Sequence, residues 1–97
     1  MFGITAKEQE IIIDILKEYS GKYFFYYYGS RVKGNFNKTS DLDILIKGKE
    51  QMPLFELADL REKMDESKLP YIVNFTDYNS IDENFYNLIK SDLILIK

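Results

Sequence analysis

The apolar positions change period several times along this chain, and each change marks an element. Ile11, Ile12, Ile15, Leu16 and Tyr19 recur at helical spacing, preceded by Thr5-Ala6-Lys7-Glu8, which has the form of a capping box. With Gly21 as the stop, residues 5–20 are predicted to be a helix. Tyr23 to Tyr28 is an unbroken aromatic run, too short and bulky for an independent helix, and predicts a buried strand ended by Gly29. Residues 30–39 are polar and contain Gly34, which predicts a short helical turn and a loop.

Ser40-Asp41-Leu42-Asp43-Ile44-Leu45-Ile46 predicts a second strand, ended by Lys47-Gly48-Lys49. A helix is expected to begin at Pro53 and carry Leu54, Leu57, Ala58, Leu60 and Met64, reaching toward Leu69 before Pro70. Its charge run, residues 61–66, reads as a solvated face. Residues 71–76 predict a third strand. Ser80-Ile81-Asp82-Glu83 has the form of a second capping box, opening a short helix through Phe85, Leu88 and Ile89, with Phe85 assigned to the core. Residues 93–96 close the chain as a fourth strand. The order predicts an α/β (α+β) fold, a sheet of about four strands covered by helices, as one domain over residues 1–97.

Composition narrows the chemistry. The 97 residues leave room for one modest core, so a partner chain is well placed to add stability. The net charge of −3 argues against broad binding to duplex nucleic acid, which needs a basic face. Cysteine and histidine are both absent, which removes disulfides, thiolate sites and imidazole chemistry. Any metal must then be held by oxygen, favouring Mg²⁺ or Mn²⁺ over Zn²⁺. No signal-peptide pattern or membrane-length apolar run is present, and the default expectation is the cytoplasm.

The informative stretch is "YYYGSRVKGNFNKTSDLDILI". Side chains alternate along a strand, so Asp41 and Asp43 should share one face, roughly 7 Å apart, while Leu42, Ile44 and Ile46 take the other. Two such carboxylates repel each other, and a hard divalent ion with oxygen ligands is the natural group between them. Gly29-Ser30 ends the neighbouring strand, where a hydroxyl and free N–H groups suit phosphate oxygens. Arg31, Lys33 and Lys38 add positive charge in the same loop. Cradle, carboxylate pair and metal together suit phosphoryl or nucleotidyl transfer.

Gly29-Ser30, ten residues, then Asp41-x-Asp43 resembles the signature of the polymerase-β-like nucleotidyltransferases, and "LPYIVNFTDYNSIDENFYNLIKSDLILI" is similar to the last part of their minimal (MNT) group. The resemblance implies a mixed sheet of the polymerase-β palm type and transfer of a nucleoside monophosphate from a triphosphate, ATP foremost, to a hydroxyl. It also implies two Mg²⁺ ions held by three carboxylates. In the minimal group it implies an antitoxin paired with a HEPN-domain ribonuclease toxin, as a hetero-oligomer or alongside a homo-oligomer, and in some members AMP transfer to that toxin. Carried over, Ser30 would contact the triphosphate beside Gly29, Arg31 and Lys33 would support it, and Asp41 and Asp43 would hold the metals.

The third carboxylate falls at Asn74, whose amide has no charge and cannot act as a general base. It reads either as a natural loss or as an introduced change, and low activity follows from both. Asp77 is a poor substitute, because three residues along a strand reverse the face, and it is expected to start the turn toward Ser80. The alternative function is therefore an inactive relative that inhibits its partner by binding alone. A small-molecule acceptor is a weaker reading, since such enzymes carry an acceptor-binding domain for which this chain has no room.

Overall fold

A computed structural model describes residues 2–97. The first capping box forms as the sequence predicts: Glu8 N donates to Thr5 Oγ1 and Thr5 N to Glu8 Oε1, both at 3.1 Å. Helix α1 spans Ala6–Leu16 and then tightens into a 3-10 turn at Lys17–Tyr19. It is shorter than expected because Ser20 N and Lys22 N turn back to the carbonyls of Lys17 and Tyr19.

Strand β1 is Tyr23–Tyr28, the whole aromatic run. It is not buried on both faces, as the run had suggested. Tyr23, Phe25 and Tyr27 face the core, whereas Phe24 on the opposite side is 63% exposed. A single helical turn, α2 (Ser30–Lys33), follows and is stopped by Gly34 at φ +93°. Strand β2 is Leu42–Gly48, helix α3 is Leu54–Asp65 and strand β3 is Val73–Asp77. Leu69 lies beyond α3 but still packs on the core.

The second capping box does not form. Residues Tyr78–Ser80 make a 3-10 turn, and Ser80 Oγ donates back to the Asp77 carbonyl. Asp82 caps helix α4 (Glu83–Ile89) instead, its carboxylate accepting from Phe85 N at 2.8 Å. A carboxylate at the positive end of a helix is the stronger acceptor of the two. Strand β4 is only Ile94–Leu95.

The sheet runs β3-β2-β1-β4, with β2 and β3 parallel across α3 and β1 antiparallel to both its neighbours. It is the mixed sheet that the resemblance implies. One face is sealed by α1 and α3, where Ile12, Leu16, Leu60 and Met64 meet Phe25, Tyr27, Leu42, Ile44, Ile46 and Phe75. Burial of each such side chain contributes about 1.5–3 kcal/mol. The other face is covered only in part. There Ile89 of α4 packs on Tyr28 and Leu45, and Tyr86 meets Tyr78 edge-on at 5.1 Å. Phe85 lies at the rim, 36% exposed, rather than in the core. Among the described residues no helix is long and apolar enough to cross a membrane.

Candidate functional site

The stretch of sequence that separates Gly29 from Asp43 is a loop that brings the two together. Antiparallel pairing sets Tyr28 opposite Asp43, so the chain leaves β1 beside the carboxylate. Gly29 takes φ +87°, a backbone region that glycine enters readily and other residues do not. A Cβ there would overlap Oδ2 of Asp43. The glycine is needed for both its conformation and its missing side chain. Ser30 then opens α2; Val32 N and Lys33 N donate to the Gly29 carbonyl, which leaves the N–H groups of Ser30 and Arg31 without an acceptor in the turn.

Parallel pairing places Asn74 directly across from Asp43. Asp41, Asp43 and Asn74 therefore line one face, and Leu42 and Ile44 are fully buried on the other. The amide of Asn74 donates to Asp41 Oδ2 at 3.0 Å and to Asp43 Oδ1 at 3.5 Å. Burial pushes the Asp43 carboxyl above the usual carboxylate range; the Asn74 hydrogen bond opposes this and the charge of Asp41 adds to it. Among the described residues no three acidic, histidine or cysteine side chains gather around a common point. The donor set is two carboxylates and one amide, all hard, and it suits a divalent cation with oxygen preference. Asp43 is part-buried and Asp41 exposed, and a cation between the two like charges would relieve their repulsion.

Arg31 is placed differently from expectation. Its guanidinium is buried and turned into the fold, where Nε donates to Ser40 O at 2.9 Å and Nη1 to Gly3 O at 2.7 Å. Nη2 donates to Lys38 O at 3.1 Å and Asn37 O at 3.4 Å, and the group stacks 4.0 Å over Tyr71. With its donors committed to carbonyls, it clamps the loop leading to Asp41 rather than facing the cleft. Lys33, at the end of α2, is half-exposed with Nζ 3.6 Å from Asp92. Asp77 faces away from the carboxylates, as strand parity requires, and accepts from Met52 N at 2.8 Å and Asn79 N at 2.9 Å.

Tyr28 and Thr76 belong to the site face, a role that the sequence reading did not give them. Their hydroxyls are 2.8 Å apart, and the Tyr28 phenol is raised by burial first and by the Asp43 charge as well. The signal was available in strand parity, since Thr76 shares the face of Asn74 and Tyr28 that of Phe24. The aromatic run masked it.

Comparison with known proteins gives this geometry its relatives. The family described as "Polymerase beta, Nucleotidyltransferase" matches residues 10–97. The probable protein adenylyltransferase MntA of Haemophilus influenzae is 33% identical over 94 residues, covering 97% of this chain and 82% of that protein. Among solved structures, a toxin–antitoxin crystallised with AMP-PNP superposes with TM-score 0.75 at 21% identity, over 92% of this chain and 72% of that one. A tri-AMPylated Shewanella oneidensis HEPN toxin in complex with MNT antitoxin gives 0.68 at 19% identity, over 92% and 68%. The solved structures establish likeness of fold. By the extent of the family match and the identity to MntA, the chain belongs to the polymerase beta nucleotidyltransferase family.

Proposed function

We propose that this chain is a nucleotidyltransferase-type antitoxin of the MntA kind, transferring AMP from ATP to a hydroxyl of a HEPN-domain toxin. The observation that carries the reading is the contact between Gly29 and Asp43, which makes the phosphate-binding turn and the carboxylate pair one cleft. Ser30 and the first N–H groups of α2 hold the triphosphate, and Lys33 contributes charge nearby. Asp41 and Asp43 hold Mg²⁺, which when bound neutralises the triphosphate. Arg31 is a positioning residue, acting through the carbonyls of the loop that it gathers. The names of the MntA relative and of the complex with an AMPylated toxin support this choice of substrate and partner.

In the transfer, the acceptor oxygen bonds to the α-phosphorus, the bond from that phosphorus to the bridging oxygen breaks, and pyrophosphate leaves. The acceptor's proton must pass to a carboxylate or to water, because the amide of Asn74 cannot take it. A second reading rests on that residue: the chain keeps the fold and nucleotide cleft but silences its partner by occlusion. Incubation with labelled ATP, Mg²⁺ and a HEPN-domain toxin separates the two. Label on the toxin that vanishes with Asp43→Ala supports transfer. Inhibition without label, unchanged by Asp43→Ala, sinks it and supports occlusion.

A further inference from the structure

We infer that Asn74 is the built-in counter-group of the Asp41–Asp43 pair: its amide holds the two carboxylates together without a cation and restricts the cleft to a single divalent ion. The one-ion half rests on the nucleotidyltransferase reading above; the counter-group half stands on geometry alone.

Carboxylates accept hydrogen bonds and cannot donate them, so only the nitrogen of the Asn74 amide can face Asp41 and Asp43. Its two N–H bonds suit this arrangement, with contacts to Asp41 Oδ2 at 3.0 Å and Asp43 Oδ1 at 3.5 Å. Asp41, Asn74, the Gly29 backbone and Tyr28 lie against Asp43, and none of them is cationic. The nearest lysine in the adjoining turn, Lys33, is directed to Asp92. The neutral amide is thus what lets the like charges sit together in the unloaded protein.

Loading then becomes a competition. A cation entering between Asp41 and Asp43 must displace the amide N–H groups, after which Asn74 can offer one neutral oxygen. A second cation would find no third carboxylate to neutralise it. The site face is consequently stable when empty and accepts one ion when full.

The test compares the full chain with Asn74→Asp and with the exchange variant Asp41→Asn/Asn74→Asp, which restores one amide and two carboxylates. In EDTA, Asn74→Asp is expected to melt about 4–8 °C below wild type, the shift typical of a modest local loss in so small a domain. Excess MgCl₂ should recover that loss, and should raise wild type by less, since the ion there must first displace the amide. The exchange variant should melt near wild type in EDTA. Mn²⁺ binding followed by electron paramagnetic resonance with AMP-PNP should give one ion per wild-type chain and two per Asn74→Asp chain.

An Asn74→Asp protein as stable as wild type in EDTA overturns the counter-group role. If Asn74→Asp does not fold, an exchange variant that also fails to fold does the same. Two Mn²⁺ ions on the wild-type chain overturn the one-ion site. Absence of Mn²⁺ from both chains sinks the nucleotidyltransferase reading together with the one-ion half, and leaves the melting comparison to judge the counter-group.

Discussion

The backbone of Gly29 lies against the carboxylate of Asp43, so closely that a methyl group on Gly29 would occupy the space of Oδ2. Gly29→Ala should therefore strain the φ +87° turn and push the carboxylate out of the cleft. A loss of about 1–3 kcal/mol in urea unfolding is expected, with loss of label transfer to the toxin. Unchanged stability together with retained transfer would contradict the contact.

Asp43 makes stability depend on pH in a defined direction. Its carboxyl is raised in the folded chain, mainly by burial, so the native state binds the proton more tightly than the unfolded one. The contribution is present below the ordinary carboxylate pKa and is lost as pH rises through the folded value. In metal-free buffer at neutral pH, Asp43→Asn should melt higher than wild type, and the gap should close on acidification. A variant less stable at neutral pH would reverse the assigned sign.

Arg31 is predicted to matter for stability before it matters for nucleotide. Removing it in Arg31→Ala leaves four carbonyls without their shared donor and uncovers Tyr71, a loss of about 3 kcal/mol in denaturant titration. Arg31→Lys should rescue little, since a lysine lacks the planar fork. Limited proteolysis within residues 34–40 should accelerate in both. A stable Arg31→Ala protein with weakened ATP binding would return Arg31 to the cleft.

Two neighbouring hydroxyl and carboxylate groups compete for one helix end, and mutation distinguishes them. Asp82→Ala removes the acceptor for Phe85 N and should cost about 1 kcal/mol by thermal melting. Ser80→Ala removes only a bond to the Asp77 carbonyl and should cost less. The reverse order would restore Ser80 as the cap.

Much of the site was legible because its logic is local. Strand parity alone places Asp41 and Asp43 together and turns Asp77 away, and both statements hold in the fold. The failures came where two local readings were equally good. Ser80 and Asp82 both precede an apolar turn, and the choice went to the residue whose side chain reaches Phe85 N. Phe24 and Phe25 are chemically alike, yet α1 and α3 cover only one face of β1. Arg31 reads as a phosphate ligand from its neighbours, but Gly3 and Tyr71, distant in sequence, capture its guanidinium.

Period, caps and glycines, which act over a few residues, were enough to determine the element order and the face shared by Asp41 and Asp43. It was the resemblance to the nucleotidyltransferases that singled out Asn74 as the position where a third carboxylate is expected. Only the tertiary structure decided that Gly29 touches Asp43, that Arg31 clamps a loop, and that the Asn74 amide bridges the pair. The Gly29 and Asn74 contacts depend on the pairing of β1, β2 and β3, and the Arg31 clamp on Gly3 and Tyr71, which reach it from distant parts of the chain. No local pattern encodes that distance.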